Sequence, residues 1–581
     1  MTREKGNELS CRLIVASGIA ASAASVLHAA HAQEATPKVV EAPFPGLASM
    51  NISTAARLMS EGAYTSADLT QMYLDRIAAL DADGPMLNAV LEVNPDALSI
   101  AAELDAEREA GDVRGLLHGV PILLKDNIDT ADSMHTTAGS LALMNSTPSQ
   151  DATVVARLRE AGAVILGKTN LSEWANMRGF QSSSGWSGRG GVTKNPFSLA
   201  RNPSGSSSGS AVAIAASLSL VALGTETNGS VVSPASVCGV VGYKPTVGFT
   251  SRAGVIPISH TQDSVGILAK SVADVAITMD TLKGVDERDE ATAASEPHID
   301  ESFSDALDQF SLEGARLGVP SNFGFVGYSE KADAVFAGVL ESLKSMGAEI
   351  VMEADISTAD ELDEVPGSFD RMVYEFKRDL NAYLEERGDP DITSLADLIE
   401  FNNEHADEEL RYFSQNIFEL SEATSGDDAE EMEKLHKRLM RLSQKEGIDA
   451  VLKKHKLDAL IAPTFSPATQ TDLANGEKFM GAASGLPATA GYPIITVPAG
   501  LAHGLPVGLS FMGTAWSDTK LIRLAYAWER GTDMFREPTF APDDIVLRPE
   551  TPVLELPPVQ QMPDATPGAT PQSTPQATLV G

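Results

Sequence analysis

Cysteine is nearly absent: 581 residues hold two, Cys11 and Cys238. A disulfide-stapled small fold is excluded, and Cys238, set among Val237, Gly239, Val240 and Val241, reads as a buried structural thiol rather than a nucleophile. Positive charge is scarce as well. Lys and Arg number 43 against 80 Asp and Glu, a formal charge of −37. Without a basic block the chain cannot release counterions from a polyphosphate backbone, which excludes nucleic acid as a partner, and adsorption to anionic membranes is disfavoured. The longest apolar run, Leu13 to Leu27, is shorter than the ~20 residues a spanning helix needs. Histidine is thinly spread. Two of ten lie in the first 32 residues and His405, His436 and His455 sit in a charged stretch, leaving His260 as the best base for a Ser-His-Asp enzyme. Beside Ser259 and Thr261 it reads more simply as a structural or pocket histidine. With 43% hydrophobic and 21% charged residues the composition is that of a soluble globular protein, so collagenous, coiled-coil and wholly disordered chains are out.

What is present has a clear order. Residues 1–32 carry Arg3, Lys5 and Arg12, the short apolar run, then Ala30-His31-Ala32, the layout of a secretory signal peptide; export to the periplasm or medium is expected. A polar linker follows over 33–45. From Thr65 the pattern T-S-A-D, then Leu69, Met72, Tyr73, Ile77 and Leu80 on one face, predicts a capped amphipathic helix. The runs Val120 to Leu124, Ala163 to Leu166, Leu218 to Leu223, Leu460 to Ala462, Ile494 to Val497 and Val507 to Met512 read as buried strands. Helical patterns between them predict one large α/β domain, 46–540, with a mixed, mostly parallel β-sheet covered by helices. Between about 286 and 456 the chain turns acidic and helical, which reads as an insertion or cap. Residues 541–581, rich in Pro, Thr, Gln and Ala, read as a disordered tail.

The chemistry-bearing residues lie in the first half. The stretch Ser204 to Ser210, entering Ala211 to Ala216, offers free N–H groups at a helix start, and Thr225 to Ser230 follows. A flexible Gly/Ser linker is a poor account of a segment wedged between Pro203 and an apolar helix. The same stretch contains G-S-S-S-G, which would make Ser207 the nucleophile of a hydrolase elbow; that elbow needs a strand directly before it, and Ser198 to Ser204 do not read as one. The other base open to a serine is a desolvated lysine. In GVPILLKDN, Lys125 ends an apolar run, where burial would lower its pKa from ~10.4 toward proton-accepting range. An exposed lysine at a strand end is equally compatible with the composition.

These residues resemble the amidase signature hydrolases over about residues 50–535. The resemblance rests on GVPILLKDN, GSSSGSAVAIAA, TETNGSVVSPASVCGVVGYKPT, SRAGVIP and QDSVG, all in family order. YEFK from Tyr374, LDALIAPT from Leu457 and GLPVGLSFMGTAWS from Gly504 look most like the peptide amidase branch. The resemblance implies that Lys125 is the family's lysine, Ser206 the serine held by a cis peptide bond, and Ser230 the nucleophile. It implies an oxyanion hole from the N–H groups of Thr227, Asn228, Gly229 and Ser230. Departures bear on substrate class: the usual double glycines are Ser204-Gly205 and Ser208-Gly209, Asn228 replaces a glycine or acidic residue, no arginine follows Ser230, and Ile267 replaces a frequent proline.

The expectation is an exported Ser-cisSer-Lys amidase, without metal or other cofactor, acting as a monomer on a linear small-molecule or peptide amide. Peptide C-terminal amides lead; aryl or fatty acyl amides come next. No nucleic acid and no stable membrane association after signal cleavage are expected. The amidotransferase subunit that modifies charged transfer RNA shares the motifs, but a signal peptide would part it from that partner. A non-catalytic binding protein on this scaffold would be favoured only if Lys125, Ser206 or Ser230 were missing. The export signal predicts a mature chain beginning near Gln33 in a bacterial host; an intact Met1 or Thr2 start in the mass spectrum of exported protein would refute it.

Overall fold

The computed structural model describes residues 43–365 and 368–542. The signal segment, most of the linker and almost all of the tail lie outside the described residues. In chain order the strands are β1 Val90–Val93, β2 Pro121–Lys125, β3 Val164–Thr169, β4 Trp186–Ser187, β5 Gly191–Val192, β6 Val221–Glu226, β7 Val241–Lys244, β8 Ser264–Ala269, β9 Arg316–Val319, β10 Glu349–Met352, β11 Ala459–Pro463, β12 Ile494–Ala502 and β13 Leu505–Met512. Apart from the β4–β5 hairpin they form one sheet, in the order β1-β3-β2-β6-β8-β7-β12-β13-β11-β9-β10. The sheet is mixed, as expected, with four parallel and six antiparallel strand pairings instead of a parallel majority. Parallel pairing occupies two blocks, β3-β2-β6 and β11-β9-β10, and antiparallel pairing joins them.

Every residue of β2, β3, β6 and β8 is buried, because helices cover both faces. That is why β2, β3 and β6 read as unbroken apolar runs instead of alternating ones; β8, equally buried, opens on Ser264, is broken by Gly266 and is not legible as a strand. The helix Ser66–Ile77 has the full capping box between Thr65 and Asp68 and buries Leu69, Tyr73 and Ile77 against the core. Among the described residues no helix is long and apolar enough to cross a membrane.

The acidic stretch needs correction. Within 286–456, β9 and β10 and the helix Glu330–Ser345 between them belong to the sheet and extend it past β11. The helices that cap a different apolar cluster begin at Ser368: Ser368–Arg387, Leu395–Glu404 and Asn416–Glu422 bury Phe376, Leu380, Leu398 and Phe418 against Trp174 and Met177. The strands escape notice because these four-residue segments, with Arg316, Glu349 and Met352 partly or fully in solvent and Gly318 in the middle of β9, carry no continuous apolar run. At the other end, Ala541 is still tied to the domain: its carbonyl accepts from the Leu199 N–H at 2.9 Å.

The Gly/Ser stretch enters the helix Ser208–Ala215, of which every residue is buried. A Cβ at Gly209 would press into the Ala89 carbonyl and lie 2.5 Å from that of Asn170, so the helix start touches backbone directly. Gly209→Ala should therefore lift this helix off the sheet and destabilise the protein by about 1–3 kcal/mol, the usual cost of overpacking. A thermal melt checks it; an unchanged melting temperature would show that the contact yields.

Candidate active site

Parallel strands β2 and β6 lie side by side and end at the same edge, which brings Lys125 against Thr225. Lys125 is fully buried. Its Nζ lies 2.8 Å from Ser206 Oγ, 2.8 Å from Thr225 Oγ1 and 3.2 Å from the Thr225 carbonyl. The carbonyl can only accept, so it fixes one amine hydrogen, whereas the two hydroxyls can each accept or donate. Asn127 Nδ2 donates to Thr225 Oγ1 at 3.0 Å, completing the cluster. Burial pushes the Lys125 amine down to about 7 against the opposing pull of the Asp263 and Glu226 charges.

Ser206, also fully buried, follows Gly205 through a cis peptide bond. Its carbonyl accepts from the Ser172 N–H at 3.1 Å. The next amide, that of Ser207, donates to the Ser230 carbonyl at 3.0 Å and so ties the two serine-bearing segments together. Ser230 opens a turn between β6 and the short helix Val232–Val237. Glu226 shapes that turn from inside: its Oε2 accepts from the N–H groups of Val231 at 2.8 Å and Val232 at 3.0 Å. The N–H groups of Thr227, Asn228, Gly229 and Ser230 donate to no other described residue. Gly229 is required twice over, with φ +82° and with Ser484 Oγ 2.7 Å from where a Cβ would stand. Thr227 is held by Asp263, which accepts its hydroxyl at 2.5 Å, and by Gln262, whose Nε2 donates to its carbonyl at 3.2 Å. Asn228 Oδ1 accepts from Ser484 Oγ at 2.9 Å.

The rival residues sit elsewhere. Ser207 Oγ donates to the Thr225 carbonyl at 3.1 Å and packs against Gly224, a structural position, and no strand immediately precedes it. His260 lies at the surface with Nδ1 3.0 Å from Asp379 Oδ2 on the capping helix. Cys238 is fully buried, which pushes its thiol pKa far up, as a structural thiol requires. Among the described residues no group of three or more His, Cys, Asp or Glu side chains could hold a metal ion. Thr225, Asn127, Gln262 and Asp263 were not singled out by the sequence reasoning, although each lies inside one of the motifs quoted above; only their contacts give them a role.

A desolvated lysine on a serine hydroxyl, beside a second serine and a turn of free N–H groups, is equipment for acyl transfer. The class so defined is a hydrolase. The amidase family model matches residues 68–522, and the chain belongs to that family, the amidase signature hydrolases; it hydrolyses carbon–nitrogen bonds in amides. It is 42% identical over 491 residues to a probable amidase of Arabidopsis thaliana, covering 83% of this chain and 90% of that one. The solved peptide amidase of Stenotrophomonas maltophilia is 47% identical, with TM-score 0.81 and coverage of 86% and 100%. A solved amidase family protein of Bacillus anthracis shares 32% identity, with TM-score 0.75 and coverage of 85% and 93%.

An amine that protonates near 7 gives a signed prediction. Its neutral fraction grows as pH rises, so kcat/KM should climb through a midpoint near 7 and level off above it. Thr225→Val removes a hydroxyl that stabilises the ammonium and should move that midpoint down while lowering kcat/KM by about tenfold. A pH–rate profile with no inflection between 6 and 8, set around that midpoint of about 7, would contradict the assignment of Lys125 as base.

Proposed function

We propose that the protein is an exported peptide amidase that hydrolyses C-terminal carboxamides through Ser230, Ser206 and Lys125. The observation that carries this is the 2.8 Å contact between the buried Lys125 amine and Ser206 Oγ. Neutral Lys125 takes the Ser206 proton as Ser206 takes that of Ser230, and Ser230 Oγ attacks the amide carbonyl. The oxyanion is received by N–H groups of the 227–230 turn, already aimed and paying no reorganisation. As the C–N bond breaks, Ser206 hands the proton to the departing nitrogen and recovers one from Lys125. Ammonia leaves and Ser230 holds an ester. Water then gives a proton to the same relay, its oxygen attacks the ester, and carboxylate and free Ser230 result. Similarity to the Stenotrophomonas maltophilia peptide amidase supports the peptide amide as substrate, and the amino-terminal layout supports a periplasmic or secreted location.

Purified protein should release ammonia from an amidated dipeptide. Ser230→Ala and Lys125→Ala should each lose most activity while staying folded, and Ser206→Ala nearly as much, since groups acting as a unit give losses that do not add. Lys125→Arg should not rescue, because a guanidinium does not deprotonate. His260→Ala should be mild. A fluorophosphonate probe should label the wild type and not Ser230→Ala; labelling lost only in Ser207→Ala would move the nucleophile and end the lysine mechanism.

A further inference from the structure

Glu477 lies half-buried in the segment after β11. Its Oε2 accepts from the Ser184 N–H at 3.3 Å, and its own N–H donates to the Ser182 carbonyl at 3.4 Å. Ser184 in turn packs on Gly205: a Cβ there would stand 3.1 Å from Ser184 Cβ, and Gly205 is joined directly to Ser206. A carboxylate is thus linked to Ser206 through two intervening residues, Ser184 and Gly205. The same rim carries Phe180 and Phe479, 61% and 69% exposed.

The other carboxylates near the serines already have strong partners. Asp263 accepts from the Thr227 hydroxyl and from the Ile258 and Ser259 N–H groups, Glu226 from Val231 and Val232, and Glu173 lies 2.9 Å from the Arg178 guanidinium. Glu477 takes the N–H and the side-chain hydroxyl of Ser184, and no cation among the described residues lies within ion-pair distance of it. Burial raises its carboxyl above the ordinary range, a shift that an arriving cation would reverse. An unpaired, partly desolvated carboxylate is costly in a resting protein and is accounted for if its partner comes with the substrate.

We infer that Glu477 is a specificity residue that receives the free α-ammonium of a short peptide amide, one or two residues before the scissile bond; this rests on the peptide amidase reading above. A lysine or arginine side chain at that distance offers the same chemistry. The net charge of −37 adds a general attraction for cationic substrates.

The test uses the full chain and ammonia release from Ala-Phe-NH2, acetyl-Ala-Phe-NH2 and acetyl-Lys-Phe-NH2. Wild type should favour the free amino terminus over its acetylated form by about tenfold in kcat/KM, as a charged hydrogen bond allows, with the difference carried in KM. Glu477→Gln should erase most of that ratio, and Glu477→Asp should keep part of it. A preference for the acetyl-Lys peptide that Glu477→Gln abolishes would support the cation site and assign it to a side chain. A wild-type ratio of one or less, or a ratio that survives in Glu477→Gln, overturns the inference even if that variant is poorly folded. Release of ammonia from none of the three by an enzyme active on other amides would instead overturn the peptide amide reading, and this inference with it.

Discussion

Taking the Lys125 ammonium out of water is the constraint on which the site turns. A strand covered on both faces ends at this residue, and among the described residues no carboxylate is in direct contact with its amine. Desolvation therefore outweighs the more distant Asp263 and Glu226 charges and leaves a base near neutrality. Had either carboxylate stood within ion-pair distance, the ammonium would have been kept and the lysine lost as a base. The acids instead serve the turn. Glu226 accepts two N–H groups behind Ser230, and Asp263, its carboxyl pushed up to about 6 by burial, holds Thr227 and the Ile258–Ser259 backbone.

The capping helices reach the same turn through a second set of buried polar groups. Arg371, fully buried on the helix Ser368–Arg387, donates to Gln262 Oε1, and Gln262 donates to the Thr227 carbonyl. Glu375 of the same helix accepts from Ser259 and Thr261. On the opposite side Arg178 lies between Glu173 and Glu409, with its guanidinium 4.0 Å from the centre of the Phe413 ring. Burial pushes the Glu173 carboxyl well up, and the neighbouring Glu409 charge adds to it, since the one Arg178 cation does not balance both. The cap is thus joined to the Ser172 loop by charge as well as by the Trp174–Phe418 contact.

How far the fold could be read along the chain depends on burial only in part, since β7 and β8 are internal and fully buried yet are not legible as strands. The six strands legible as apolar runs, β2, β3, β6, β11, β12 and β13, are all internal to the sheet. The edge strands β1 and β10 are half in solvent, show no such run, and are not legible. Likewise the helix at Ser66 announces itself by its capping box, whereas the helices of the cap and the sheet helix Glu330–Ser345 share one acidic composition and look alike.

Residue types and their order were enough to nominate Lys125, Ser206, Ser230 and the turn between Thr227 and Ser230 as candidates, through a resemblance that rests on five linked motifs in family order. They were not enough to choose between a buried lysine and an exposed one at a strand end. That choice belongs to tertiary structure: helices on both faces of β2, and β6 laid beside it, exclude water from the amine and bring the oxygens of Thr225 and Ser206 to it. The partners of Asp263, Gln262 and Glu477 are decided there too. Hydrogen bonds spanning from 35 to 293 residues leave no local signal, since a side chain's partner across the fold imposes no spacing on its own neighbours in the chain.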